Sequence, residues 1–206
     1  MRMFLAILVA LLVHVGAAHG EILLNELMAD PASDWDGDSL YQFRDDEWVE
    51  VINTGPATES LDGYRLAGPD TTWRYAFTGI LAPGEIRVVY GSESYAWEQA
   101  TGNPQFGFRL SNTGGEIVLW RHTATDSSIV DRYVYADHEA EDDRSTGRFP
   151  DGEATWMLFD WQNPYTGSTP PVGSGCGPSP GLPAFCPVPV KPGSWGRIKV
   201  AFASGP

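Results

Sequence analysis

Between Ser33 and Glu50 the chain reads S-D-W-D-G-D-S-L-Y-Q-F-R-D-D-E-W-V-E. Asp34, Asp36 and Asp38 alternate around Gly37, and Asp45, Asp46 and Glu47 follow. Carboxylates at this density repel one another, so either a cation neutralises them or they splay into water. Calcium takes several oxygen ligands from close-spaced, flexible carboxylates. Counted from Asp34, the aspartates fall at positions one, three and five of an EF-hand-like loop, with Asp45 at position twelve. The match is loose, because Asp replaces the usual Glu at the last position, Ser39 replaces the usual Gly at the sixth, and no helices flank the loop. The expected ligands are Asp34, Asp36, Asp38 and Asp45. They would hold a structural Ca²⁺ that pins the loop and is not an obligatory cofactor. The alternative is a solvated turn. A second acidic run, Asp137-His138-Glu139-Ala140-Glu141-Asp142-Asp143, is irregularly spaced and reads as a solvated loop balanced by Arg144 and Arg148.

Other chemistry is poorly served. After residue 20 the histidines are His122 and His138, and Ser111 and Ser145 lie in no G-x-S-x-G setting. Both cysteines stand late in the chain, and no P-loop, dinucleotide fingerprint or H-E-x-x-H is present. Paired carboxylates can hydrolyse a glycoside, but any chain this acidic offers such pairs. The reading is therefore a non-enzyme with no catalytic residues, and a hydrolase using surface carboxylates is the rival. Aromatic residues beside carboxylates suit protein contact or sugar stacking. Trp35, Tyr41 and Phe43 are the candidate binding residues, with Trp97 nearby, and a carbohydrate-binding module is a further alternative. Tucking of Tyr41 and Phe43 against the body of the protein is the plainer role.

The elements that must position these residues are short strands. Candidates are Glu21–Met28, Glu47–Asn53, Tyr64–Ala67, Trp73–Phe77, Glu85–Tyr90, Phe106–Leu110, Glu116–Arg121, Ile129–Tyr135 and Thr155–Phe159, separated by Gly, Pro, Asn and Asp turn signals. A turn or two of helix fits near Ser94–Ala100. This pattern points to an all-β sandwich or barrel. In Trp48-Val49-Glu50-Val51-Ile52, Glu50 interrupts an apolar row. It should sit at a rim, pair with a cation such as Arg65, or face a metal.

The flanking segments differ in composition. Met1–Gly20 has a basic start, an apolar run from Phe4 to Val15, and small residues at Ala18 and Gly20, the layout of a secretory signal peptide. Export to the cell surface, the exterior or the periplasm is expected, with no membrane span in the mature chain. The chain carries a net charge of −14, and losing Arg2 with the leader leaves the remainder one unit more negative. Such a charge repels phosphate backbones and argues against nucleic acid. Residues 169–192 are rich in Pro, Gly and Ser and read as a linker or tail. Within it, Cys176 and Cys186 should form a disulfide in an exported protein. Residues 193–206 contain Ser194-Trp195-Gly196-Arg197-Ile198-Lys199-Val200-Ala201-Phe202, which reads as one more strand or tail.

The strand run over 21–168 also resembles a known family. Ile22-Leu23-Leu24-Asn25-Glu26-Leu27-Met28-Ala29-Asp30-Pro31 looks like the opening of a lamin tail domain, and Asp46–Gly55 resembles its second strand. Leu61-Asp62-Gly63-Tyr64-Arg65-Leu66 is similar to its corner motif, and Leu81-Ala82-Pro83-Gly84 precedes a strand as in the family. Leu110-Ser111-Asn112-Thr113-Gly114-Gly115-Glu116-Ile117-Val118-Leu119 resembles its later hairpin. Val130-Asp131 with Tyr133 and Tyr135, then Gly147–Gly152 and Asn163-Pro164-Tyr165-Thr166-Gly167, continue the match. The resemblance implies an immunoglobulin-like β-sandwich followed by a Pro/Gly-rich tail. It implies an interaction, adhesion or anchoring role of the bacterial exported type, and no reaction. The partner is expected to be a protein or a surface polysaccharide, and the chain a monomer. The long acidic stretch Ala32–Asp45 departs from the family pattern.

Overall fold

The computed structural model describes residues 21–103 and 106–186. The proposed leader and the Trp195 segment lie outside the described residues. Eleven strands are present among the described residues: β1 (Ile22–Met28), β2 (Trp48–Asn53), β3 (Glu59–Ser60), β4 (Tyr64–Ala67), β5 (Trp73–Ala76), β6 (Ile80–Leu81), β7 (Ile86–Tyr90), β8 (Gly114–His122), β9 (Ser127–Ala136), β10 (Ser145–Arg148) and β11 (Trp156–Phe159). Among the described residues one α-helix, α1 (Gly91–Thr101), follows β7, and a single 3-10 turn, Asp137–Glu139, follows β9. A five-stranded antiparallel sheet in the order β11-β10-β1-β2-β7 faces a four-stranded one in the order β5-β4-β8-β9, and β3 pairs with β6 alongside. The fold is an all-β sandwich, one of the two architectures the strand pattern points to, and of the immunoglobulin-like kind that the resemblance implies.

Alternation fills the space between the sheets. Leu24, Val49, Val51 and Val89 from the larger sheet meet Tyr64, Leu66, Ile117 and Leu119 from the smaller one. Burying each such side chain contributes about 1.5–3 kcal/mol. A bulge between Leu24 and Glu26 resets β1, so that Leu24 and Leu27 both point into the core. Asp131 and Arg148 tie the two sheets together beside it. Asp131 Oδ2 accepts the Leu24 backbone N–H (3.0 Å) and an Arg148 Nη2–H (2.9 Å), while Arg148 Nε–H donates to the Leu24 carbonyl (2.7 Å).

Three features differ from the sequence reading. Residues 106–110 form no strand, because Phe106, Gly107 and Arg109 all have positive φ. Their course is set by buried carboxylates: Glu98 Oε2 accepts the Gly107 N–H (2.9 Å) and Glu47 Oε2 the Leu110 N–H (3.0 Å). Strand β10 was hidden because S-T-G-R lacks a run of β-branched or aromatic residues. It forms because it fills the place between β1 and β11. Finally, the described part of the Pro/Gly-rich segment does not hang free. It starts beside β11, where Gly173 bridges Leu158, and crosses the outer face of the five-stranded sheet to Gly181, which lies against Val88 of β7. The Cys176–Cys186 disulfide closes its last loop.

This covering segment explains Glu50. Val49 and Val51 enter the core, while Trp48, Glu50 and Ile52 point outward yet are equally buried. Glu50 sits opposite Glu26 of β1 in register, and Arg65 lies in the other sheet. Glu50 is therefore neither at a rim nor paired with Arg65. Its oxygens accept Asn25 Nδ2–H (2.7 Å) and the Gly181 backbone N–H (2.8 Å). Glu26 accepts Ser145 Oγ–H (2.6 Å), Ser179 Oγ–H (2.9 Å) and the Ser179 N–H (3.2 Å). Burial drives both pKa values up, Glu26 to about 7 and Glu50, with Glu26 as its charged neighbour, to about 8. Burial of the two facing carboxyls thus favours their protonated forms.

Candidate functional site

The acidic loop is built by one buried side chain. Asp46, fully enclosed at the start of β2, accepts backbone N–H groups from Trp35 (2.6 Å), Asp36 (3.1 Å) and Gln42 (2.7 Å). Three donors on one carboxylate fold residues 35–42 back over it. The loop's end is fixed at α1, where Ser92 N–H donates to the Asp45 carbonyl and Gly91 N–H to that of Glu47. Gly91 is required there, since a Cβ would stand 1.8 Å from the Arg44 carbonyl oxygen.

Within the loop, Asp34 accepts the N–H groups of Gly37 and Ser39 (both 2.8 Å). Asp36 accepts that of Asp38 (3.1 Å), and Asp38 that of Leu40 (2.7 Å). These turns bring one carboxylate oxygen each of Asp34, Asp36 and Asp38 within 4.8 Å of one another. Asp45 stands outside that group. Its pKa is raised by burial and then by the charges of Asp36, Asp46 and Asp38. Three hard oxygens fit a divalent cation, which would complete its shell with loop carbonyls or water.

The two acidic runs are neighbours in space. Asp143, at φ 51, accepts Ser33 Oγ–H (2.6 Å), Trp35 Nε1–H (2.7 Å) and the Ala32 N–H (2.9 Å). Burial pushes its pKa up, but these hydrogen bonds outweigh burial and hold the carboxyl below its ordinary value. Asp30 lies beside it, raised by burial and by Asp142, Glu141 and Asp143. Asp143 therefore anchors the first loop and Glu139 is buried, while Asp137, Glu141 and Asp142 stand exposed to water. Arg144 and Arg148 do not balance it through the bonds they make: Arg144 donates to the His138 and Asn163 carbonyls, and Arg148 pairs with Asp131.

The candidate aromatics separate into two roles. Trp35 is half-buried, its indole N–H is spent on Asp143, and its ring rests 6.4 Å from Trp48, so it positions the loop. Tyr41 (53 %) and Phe43 (59 %) are exposed, with Leu40 (62 %) beside them, and are not tucked in. Phe43 lines a cleft of about 300 Å³ with Gln42, Arg44, Asp45, Tyr95 and Phe106. Tyr95 and Phe106 escaped sequence reasoning, because only folding brings α1 and the 106–110 turn to this edge. Arg44, which lies 5.2 Å over the Phe43 ring, is the one cation among the described residues that line this cleft.

A family model described as Lamin Tail Domain matches residues 16–137, more than half of the chain. Strands β10 and β11 and the covering segment lie beyond that match. No curated protein and no solved structure matches the chain. The matched residues hold the two-sheet framework from β1 to β9, and on that sequence and that fold the chain belongs to the lamin tail domain family.

Proposed function

We propose that this lamin tail domain is an exported, non-enzymatic interaction module of a bacterial cell surface or exterior, and that its acidic edge is its binding side. The observation that carries this reading is the grouping of Leu40, Tyr41, Phe43 and Phe106, each more than half exposed, next to the Asp34–Asp36–Asp38 cluster. Monomeric proteins seldom spend such apolar area on solvent without a partner. A carboxylate-rich rim around it selects a partner with basic and apolar side chains. The leader-like residues 1–20 support export. Among the described residues no helix is long and apolar enough to cross a membrane.

Calcium fits the same edge as a structural ion. It would neutralise Asp34, Asp36 and Asp38 and stiffen the segment that presents Leu40, Tyr41 and Phe43. Family membership argues against catalysis, and the edge offers carboxylates without a paired nucleophile. The test is a calorimetric titration of CaCl₂ into the chain from Glu21 onward, with Asp36→Ala as control. Saturable heat lost in the variant is the expected result, and absence of heat in both refutes the ion. The binding edge is tested separately by retention of the protein on cell-surface fractions, which Phe43→Ser with Phe106→Ser should abolish.

A further inference from the structure

The outer face of the four-stranded sheet carries a second group of aromatic residues, in a cleft separate from the one at the acidic edge. β4 places Arg65 beside Trp120 of β8, and Trp73 of β5 packs edge-on against Trp120 with ring centroids 5.8 Å apart. Trp97 of α1 leans in over Tyr75 at 6.4 Å. Between them opens a cleft of about 460 Å³ lined by Arg65, Thr71, Thr72, Trp73, Trp97, Thr101 and Asn103. That volume falls within the range of small-molecule sites.

Arg65 is the unusual member. Its guanidinium lies 5.2 Å over the Trp73 ring. Its Nε is buried without an acceptor, and no carboxylate or carbonyl among the described residues engages the group. In a chain of charge −14, six of the nine described arginines find oxygen partners: Arg74 with Asp70, Arg87 with Glu93, Arg132 with Glu116, Arg148 with Asp131, Arg121 with the Asp62 carbonyl and Arg144 with the His138 and Asn163 carbonyls. A buried N–H left without a partner is costly to the fold. Holding a cation this way, over an indole at the wall of a cleft, leaves its terminal N–H groups for an incoming anion.

The remaining lining sets the class of that anion. Asn103 Nδ2–H donates to the Trp73 carbonyl (3.1 Å), which leaves its side-chain oxygen free to accept. Thr101 Oγ1–H donates to the Trp97 carbonyl (2.9 Å) and retains lone pairs. Free acceptors beside indole faces suit a ring bearing hydroxyl donors and C–H faces, and an unpaired guanidinium suits a carboxylate held by two parallel N–H bonds. The nearby carboxylate Asp70 is already neutralised by Arg74. We infer that this cleft binds a uronic acid unit of an acidic saccharide, with Arg65 on the carboxylate, Trp97 along the sugar ring, and Asn103 and Thr101 accepting from hydroxyls. This site is independent of the acidic edge and of calcium.

The experiment is a tryptophan-fluorescence titration with a galacturonic acid trimer and, in parallel, the neutral galactose trimer, in buffer containing a chelator so that the acidic loop is metal-free. Saturable binding of the uronate at least tenfold tighter than of the neutral trimer is expected. Arg65→Gln should lower uronate affinity at least tenfold. Arg65→Lys, which keeps the charge but not the fork, should lower it less. Asp36→Ala should leave it unchanged. Melting curves establish that each variant is folded, and Trp97→Ala, on the surface of α1, provides a second loss-of-binding variant. No saturable signal at millimolar uronate, equal affinity for the neutral trimer, or undiminished binding by a folded Arg65→Gln protein would overturn the assignment.

Discussion

The facing glutamates under the covering segment make stability fall as pH rises. An unfolded glutamate titrates near 4.5, whereas folded Glu26 is raised to about 7 and Glu50 to about 8. Between those values the folded chain binds more protons than the unfolded chain, so unfolding free energy decreases with pH. The pair's stabilising contribution is complete below about pH 4.5 and is lost as pH climbs through 7 to 8. For Glu26 alone the shift from 4.5 to about 7 corresponds to roughly 3 kcal/mol at 1.36 kcal/mol per unit. In a chain of this size that is about 6–12 °C in melting temperature. Glu26→Gln isolates the effect. Its amide oxygen can accept from Ser145 Oγ–H and Ser179 N–H, and its amide nitrogen can donate to Ser179 Oγ, so it reproduces the protonated acid. Melting by circular dichroism from pH 5 to pH 9 should show the two proteins close at pH 5 and the variant several degrees more stable at pH 9. Parallel curves across that range, or a wild type that gains stability from pH 5 to pH 8, would refute the reasoning.

Further expectations concern individual ties. Removing the disulfide with Cys176→Ser and Cys186→Ser frees a loop of sequence separation 10 and should cost about 3 kcal/mol, read by urea unfolding of the variant against the oxidised parent. Asp131→Asn leaves Arg148 without its charge partner and weakens acceptance of the Leu24 N–H, so a loss of about 3–5 kcal/mol is expected by the same assay. Asp46→Ala strands three loop N–H groups, and limited proteolysis should then cut within residues 35–42 far faster than in the parent, while Asp36→Ala without metal, which loses one turn hydrogen bond, raises the cutting rate much less. Gly91→Ala forces a Cβ onto the Arg44 carbonyl and should destabilise by several kcal/mol, visible as a lowered melting temperature.

How much was legible beforehand followed from the range of the forces involved. Strand alternation, turn residues and the short helix after β7 are local, and they marked most of the elements lining the two sheets. The triplet Asp34, Asp36 and Asp38 was visible because its clustering needs only turns within one loop. Asp45 seemed equivalent by spacing, yet its carboxyl lies outside the group because α1 captures its backbone. The turn at 106–110 reads as a strand by composition, and only distant Glu47 and Glu98 bend it otherwise.

What the sequence by itself determined was the sandwich, the acidic loop and membership of the lamin tail domain family. Periodicity, turn chemistry and local charge are properties of neighbouring residues. The tertiary structure alone decided that Tyr95 and Phe106 join Phe43, that Asp143 holds Trp35, and that Arg65 stands unpaired over Trp73 instead of beside Glu50. It also decided that a Pro/Gly-rich segment, weak in every local signal, becomes a cover. Its backbone N–H groups complete two carboxyls contributed by strands more than a hundred residues earlier, with Ser179 on Glu26 and Gly181 on Glu50. Such pairings arise where packing brings a donor to a buried acceptor that would otherwise go unmet, and no residue's identity reveals that meeting in advance.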